Sequence, residues 1–379
     1  MHLPKLLATL NWPLFLFIAF ATVSFIQVFY YLFFFIRLAF YKEKIKQVSQ
    51  THAVSVIVCA RDEAENLTNN LPGILVQDYK TTHEVIVVND NSFDESKYLL
   101  EALQKEFRQL KIVELTQEAK MIPGKKFPLS IGIKSASHEI LLLTDADCVP
   151  ASEHWISKMQ NTYDKDTEII LGYGAYHRKK GLLNKFIRWE TYFSALQYMS
   201  YALAGIPYMG VGRNLSYKRD VFFRQKGFSA HNKLAGGDDD LFINGASNSA
   251  NTKINADKDT FTISKPPLTW QQWRKQKARH YTTSKYYKPV HKILLALFAV
   301  SQFLFYPLLI TAAILFNWKI AIAIAGFRLL LQIVIYTKTL TRLGEKDLVP
   351  FFLLMDIWMF FYYLIFATAL FKKPKPVWK

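Results

Sequence analysis

The chain has 379 residues, with 47 Lys or Arg against 30 Asp or Glu for a net charge of +17, and 15% of its residues are aromatic. That length holds one large domain plus membrane segments, and apolar spans flanked by basic anchors account for the charge and the aromatics together. No zinc or recognition-helix pattern accompanies the Lys and Arg, which sets nucleic acid aside, and Cys59 and Cys148 are too few for a disulfide framework and fit a reducing compartment.

Residues 10–37 are almost wholly apolar, long enough to cross a bilayer with some tilt. Without a small-residue cleavage site they predict an uncleaved N-terminal transmembrane helix within 1–41. Lys42, Lys44 and Lys46 follow at once, and the positive-inside rule puts the next domain in the cytoplasm. Residues 53–285 then alternate strand and helix patterns. Strands are predicted at 53–59, 84–88, 112–115 and 139–143, and helices at 63–76, 96–110 (with Asp94 as N-cap) and 126–135. This alternation predicts an α/β domain with a mostly parallel sheet, inserted between transmembrane helices. Residues 178–208 are aromatic and amphipathic and predict a helix lying on the membrane, with a domain-core helix as the alternative. A second interfacial helix is expected around 266–289.

Beyond Pro289 the chain is apolar again, and residues 293–316, 320–336 and 348–371 are three more candidate spans in a C-terminal region 291–371. The tail 372–379 is basic and aromatic, an interfacial anchor. Four full spans would leave the tail lysines outside, whereas the positive-inside rule wants both them and the basic 337–346 loop inside. One stretch is therefore expected to be re-entrant or interfacial, with 320–336, which carries Arg328, the weakest span.

Chemistry concentrates at the predicted strand ends. Asp145-Ala146-Asp147 closes the apolar run from Glu139, so two carboxylates meet at the carboxyl edge of a sheet, where open α/β sheets bind ligands. Two hard oxygen ligands there suit Mg²⁺ or Mn²⁺ carrying a diphosphate. Val54 to Asn66 is a strand running into a polar turn through Ala60, Arg61 and Glu63, a place for a nucleobase and ribose. Asp90 ends the next strand, where it can accept from a uracil ring or a ribose hydroxyl, or serve as a turn aspartate. Lys125-Lys126 opens a helix and can reach a phosphate. Asp238, Asp239 and Asp240 repel one another, which raises some of their pKa values, as a base working near neutrality needs.

As an ordered set, these segments with Gly236 to Leu241 and Gln276-Lys277-Ala278-Arg279-His280 resemble the inverting family 2 glycosyltransferases of GT-A fold. The layout is similar to the membrane-embedded cellulose, chitin, hyaluronan and poly-N-acetylglucosamine synthases and ceramide glucosyltransferase. The resemblance implies a UDP-sugar donor bound by Ala60, Arg61, Glu63, Asp90, Lys126 and Asp145, and a metal on Asp147. It implies a base in the acidic cluster. Aligning Asp240-Leu241 with the family's acidic-Leu pair puts Asp238 on the base, with Asp239 as runner-up. Gln276, Arg279 and His280 fall on the family's Gln-x-x-Arg-Trp motif, which implies that they belong to the donor site too, the Gln and Arg helping to hold the acceptor and the diphosphate; His280 replaces the Trp that stacks on an acceptor sugar, which favours a single transfer or a different acceptor. Trp270 and Trp273 lie nearby as alternative platforms. Gly212, Arg213 and Asn214 fall in a glycine-containing acceptor loop.

The expected function is sugar transfer to a glycan or lipid acceptor at the inner face of a cell membrane, for surface polysaccharide or glycolipid synthesis, with room for a homo-oligomer to supply further membrane helices. Transfer to a polyprenyl phosphate is the alternative within the fold, and a non-catalytic membrane scaffold the alternative outside it.

Overall fold

A computed structural model describes residues 11–43, 51–116 and 124–367. Lys44, Lys46 and the basic tail 372–379 lie outside these, as do the first ten residues of the expected N-terminal segment.

The described residues open with helix α1, Trp12–Ala39, apolar along its length and started by Asn11, whose side chain accepts from the Leu14 N–H. Strands and helices then alternate: β1 (Val54–Ala60), α2 (Ala64–Leu75), β2 (His83–Asp90), α3 (Ser96–Glu106), β3 (Leu110–Leu115), α4 (Lys126–Ser135) and β4 (Ile140–Asp145). Every residue of β1 is buried, as a parallel strand covered on both faces requires. The helix expected over 96–110 stops at Glu106. Phe107 turns extended, and Leu110 must leave the helix to pair with Val85 of β2.

Shorter elements complete the domain: β5 (Cys148–Pro150), α5 (Trp155–Gln160), β6 (Ile169–Leu171), β7 (Gly174–Tyr176), α6 (Leu182–Leu203), β8 (Leu215–Lys218), α7 (Arg219–Arg224), α8 (Asp240–Ala246), β9 (Thr252–Ile254), β10 (Thr262–Ser264) and α9 (Trp270–Ser284). The main sheet runs β3-β2-β1-β4-β8-β6-β9, and a small sheet runs β5-β10-β7. The first four strands of the main sheet are mutually parallel, and β8 is antiparallel to both of its neighbours. This is the expected α/β architecture with a mostly parallel sheet. The strand order reverses between β1 and β4, so their carboxyl ends open a crevice at a topological switch point.

Helix α6, expected to lie amphipathically on the membrane, is buried nearly all round. Its Trp189, Tyr192 and Tyr201 face the long apolar helical stretches Trp12–Ala39 and Pro289–Arg342, while Tyr198 donates to the Gly172 carbonyl at the sheet. It is a layer between two bodies, which is why its aromatics do not segregate to one side.

Among the described residues, three stretches are long and apolar enough to cross a membrane: Trp12–Ala39, Pro289–Arg342 and Lys346–Phe366. The second is a hairpin of α10 (Pro289–Ala312) and α11 (Trp318–Arg342). Between them Asn317 leaves the helical region (φ −154°, ψ 108°), and its side chain caps the Lys319 and Ile320 N–H groups. The third contains α12 (Phe352–Ala367). Helix α1 runs antiparallel to α10, with Phe17 stacked on Phe316 and Gln27 donating to the Ser301 carbonyl at 2.9 Å. Arg328, the reason to doubt 320–336 as a span, is buried but paired with Asp356 of α12 at 2.9 Å, and it also donates to Gln27 and Gln332. A charge inside an apolar bundle persists only when paired in this way.

Candidate active site

The parallel register brings the strand tips level. Cys59 of β1 pairs with Val88 of β2 on one side and Asp145 of β4 on the other. Asp90 therefore closes β2 just beyond Ala60, and Asp145-Ala146-Asp147 leaves β4 beside both. Short polar ties hold the loops between these tips. Asp62 sits in the left-handed region (φ 53°), which aspartate tolerates. Its carboxylate accepts from the Phe93 N–H at 2.7 Å, and its own N–H donates to Ser92. Asp94 accepts from Ala64 at the start of α2 and from Ser96 at the start of α3, capping two helices at once. Glu63 accepts from Asn66 in the first turn of α2. Arg61 reaches to 3.9 Å from Asp90, which is itself nearly buried.

Asp145, Asp147 and Cys148 each offer a ligand atom, all within 4.8 Å of one another. The Lys125 ammonium pairs directly with Asp145. Burial alone would raise the Asp145 carboxyl, but Lys125, with Arg213 and Arg279 beyond it, outweighs burial and holds the pKa below the ordinary value. Asp147 moves the other way, raised by burial and by the adjacent Asp145 charge. Two crowded carboxylates fit a hard divalent cation, which would relieve that repulsion, whereas the buried Cys148 thiol is a soft donor that Mg²⁺ and Mn²⁺ do not favour.

The Lys pair divides its work differently from expectation. Lys126, predicted to hold the donor, points away from the strand tips. Its Nζ donates to the carbonyls of His231, Leu234 and Gly236 at 2.7, 2.7 and 2.5 Å and is fully buried. Burial lowers its pKa to about 8. Lys125 is the one in the cleft. Gly124 allows the close approach of this loop, since a Cβ there would stand 2.2 Å from the Ala235 carbonyl oxygen.

The acidic cluster separates into three roles. Asp239 accepts from the Gly212 N–H at 2.8 Å and from the Asp240 N–H at 2.7 Å, so both of its oxygens are used. Burial, then its neighbours Asp238 and Asp240, push its pKa up to about 8. Asp240 is buried and accepts from Leu241 N–H, Thr283 and Tyr287, tying α8 to α9. Asp238 is only partly buried, receives no hydrogen bond among the described residues, and acts electrostatically on Lys125. Gly237 makes the turn into this cluster at φ +95°, with Leu241 so close that a Cβ would overlap it.

Of the expected acceptor loop, Gly212 braces Asp239 through its backbone. Arg213 lies over the Tyr176 ring at 4.3 Å and donates to Ser264 at 2.8 Å, which aims its charge at Asp145 and Asp147. Asn214 does not face the cleft. It is fully buried and bonds the Tyr173 and Thr260 carbonyls and the Trp155 indole, which makes it a structural clamp. On α9, Gln276 donates to the Tyr176 hydroxyl at 3.1 Å, and Arg279 and His280 are exposed. Trp273 is buried against α12, whereas Trp270 stays half exposed. The structure thus brings together Asp90, Lys125, Asp145, Asp147, Arg213, Asp238 and Arg279. Tyr176, which touches both Arg213 and Gln276, had no sequence signal, because its place depends on the small β5-β10-β7 sheet.

Residues 55–224 match the family model described as Glycosyl transferase family 2. The chain is 24% identical over 257 residues to the probable glycosyltransferase YdaM of Bacillus subtilis (strain 168), which covers 65% of this chain and 58% of that protein. It is 24% identical over 151 residues to the poly-beta-1,6-N-acetyl-D-glucosamine synthase of Staphylococcus aureus (strain COL), covering 40% of this chain and 35% of that one. The matches therefore span about half or less of these relatives' own lengths. Among solved structures, the mannosyltransferase PcManGT from Pyrobaculum calidifontis, in complex with GDP-Man and Mn²⁺, aligns at TM-score 0.56 and 19% identity over 90% of this chain and 98% of that one, a likeness of fold.

Proposed function

We propose that this chain, whose residues 55–224 are a family 2 glycosyltransferase domain of GT-A-like α/β fold, transfers a sugar with inversion from a UDP-sugar to a glycan or lipid acceptor at the inner face of a cell membrane. The observation that carries this is the meeting of Asp145 and Asp147 at the β1/β4 switch point, with Lys125 paired to Asp145 and also in the field of Asp238. Apolar helices on both sides of the domain support the membrane setting.

In the proposed reaction Asp90 and Arg61 hold the nucleoside, and Lys125, Arg213 and Arg279 hold the diphosphate. Asp147, with Asp145, would hold Mg²⁺ or Mn²⁺, which when bound neutralises the diphosphate as it leaves. Asp238 takes the proton of the acceptor hydroxyl as its oxygen bonds to the anomeric carbon and the carbon–phosphate oxygen bond breaks. Gln276 and His280 border the acceptor side. Asp239 and Asp240 are occupied by backbone and side-chain donors, whereas Asp238 receives none among the described residues, which leaves Asp238 of the three open to an acceptor hydroxyl. The positions of Gln276 and Arg279 on α9 favour a glycosyl acceptor over a polyprenyl phosphate.

The test is turnover of a panel of UDP- and GDP-sugars by the full-length protein in detergent, with and without Mg²⁺ or Mn²⁺. Metal-dependent release of UDP from one donor is expected. GDP-sugar turnover alone would overturn the donor assignment, and no turnover with any donor would overturn the enzymatic one.

A further inference from the structure

Length and composition make 346–366 a candidate span, but its contacts argue otherwise. One face of α12 and the turn before it meets the catalytic domain from beginning to end. Lys185 of α6 lies over the Phe351 ring at 3.3 Å, Trp358 packs on Phe186 at 4.4 Å and on Trp270 at 6.1 Å, Tyr362 packs on Trp273, and Phe366 packs on Trp273 and Tyr281. From 351 to 366 this is about 22 Å of helix at 1.5 Å per residue. A helix running straight into the bilayer would leave the domain within a turn or two, unless the domain went with it. Helix α9 cannot go with it, because it exposes Gln271, Gln272, Arg274, Lys275 and Arg279 and such groups do not enter hydrocarbon. The opposite face of α12 lies across the α10/α11 hairpin. Asp356 accepts from Gln302, Tyr306, Arg328 and Gln332 there, and Phe360 stacks on Phe303 at 4.8 Å.

We propose that α12 is a re-entrant helix: it docks beneath α9, anchored to the bundle by the Asp356–Arg328 pair, and returns the chain to the side of the catalytic domain. Three spans then remain, α1, α10 and α11. Lys42, Lys338, Arg342 and Lys346 fall on the side of the catalytic domain, as the positive-inside rule asks, and the labelling of position 375 tests whether the tail follows. The helix also becomes the membrane-side floor of α9. Lys277 of α9 pairs with Glu190 of α6, which accepts from the Tyr362 hydroxyl, and Tyr362 accepts from Tyr281. Tyr362 is thus a positioning residue for the segment that carries Gln276 and Arg279.

The membrane part rests on the chain crossing a bilayer, as proposed above, but its test needs no activity. Single cysteines are introduced at Lys165, Lys319, Lys346 and Lys375 of the full chain with Cys59 and Cys148 replaced by serine, and sealed vesicles are treated with a membrane-impermeant maleimide before and after solubilisation. Positions 165, 346 and 375 should label alike and 319 oppositely, whichever side faces out. Labelling of 375 with 319 would overturn re-entrance. For the positioning role, Tyr362→Phe keeps the ring and removes the hydroxyl. Transfer kcat should fall about three- to tenfold, the worth of one hydrogen bond, with the donor KM unchanged. An unchanged kcat, or a fall matched by a rise in donor KM, would reduce α12 to packing.

Discussion

Replacing each of the three clustered aspartates by Asn separates basicity from architecture. Asp238 receives no hydrogen bond among the described residues, so Asp238→Asn removes a base without breaking a contact. Loss of a general base costs about 10²- to 10⁴-fold in rate, equivalent to about 2.7–5.4 kcal/mol of barrier at 1.36 kcal/mol per tenfold. Donor affinity and thermal midpoint should stay near those of the parent. Asp239→Asn instead sets an amide NH₂ against one of two N–H donors, from Gly212 and Asp240. An unsatisfied donor of this kind costs about 1–3 kcal/mol, which lowers the thermal midpoint. Asp240→Asn should likewise destabilise, because Thr283 and Tyr287 lose a shared acceptor. The assay pairs product release with donor calorimetry and a thermal melt for each variant in detergent. A slow Asp239→Asn with an unchanged melt, beside a near-normal Asp238→Asn, would shift the base by one residue. Three variants with normal rates would remove the cluster from catalysis altogether.

Asp147→Ala should abolish divalent-dependent turnover while leaving the protein folded, since leaving-group stabilisation by a metal is worth several kcal/mol; full activity at ordinary Mg²⁺ or Mn²⁺ would refute the ligand assignment. Lys125→Ala should weaken donor binding, whereas Lys126→Ala should lower the melting temperature by freeing the three carbonyls of the 231–236 loop and leave donor affinity near that of the parent; calorimetry and melting of both variants check the division. Asp239 keeps its proton to about pH 8 when folded, while an unfolded aspartate releases it near pH 4. Its contribution to stability is therefore full below about pH 4 and lost as pH rises through about 8. The melting-temperature gap between parent and Asp239→Asn should narrow from about pH 5 to about pH 8, and a widening gap would contradict the raised pKa.

Strand identity and strand-tip chemistry were legible in the sequence because both are local. A run such as Val54 to Cys59 has one stable use, as a buried parallel strand. A carboxylate that ends such a run must emerge at the sheet edge, which put Asp90, Asp145 and Asp147 where they are found. The apolar stretches on either side of the domain were legible for the same reason. What a helix or loop residue faces depends instead on chain that is remote in sequence. Lys126 is claimed by carbonyls 105 to 110 residues away, and Asp240 by hydroxyls 43 and 47 residues away. Those contacts leave Lys125 and Asp238 to the cleft, a choice that adjacent identical residues cannot announce. Asn214 went to a buried clamp because the Tyr173 and Thr260 carbonyls, which lead into β7 and β10, close around it just before β8. Arg328 looked like a flaw in a span until Asp356 and Gln27, 28 and 301 residues distant, closed around it. Composition determined that charge, apolarity and acidity would be present, and the tertiary structure decided which of these groups neutralise one another and which stay free.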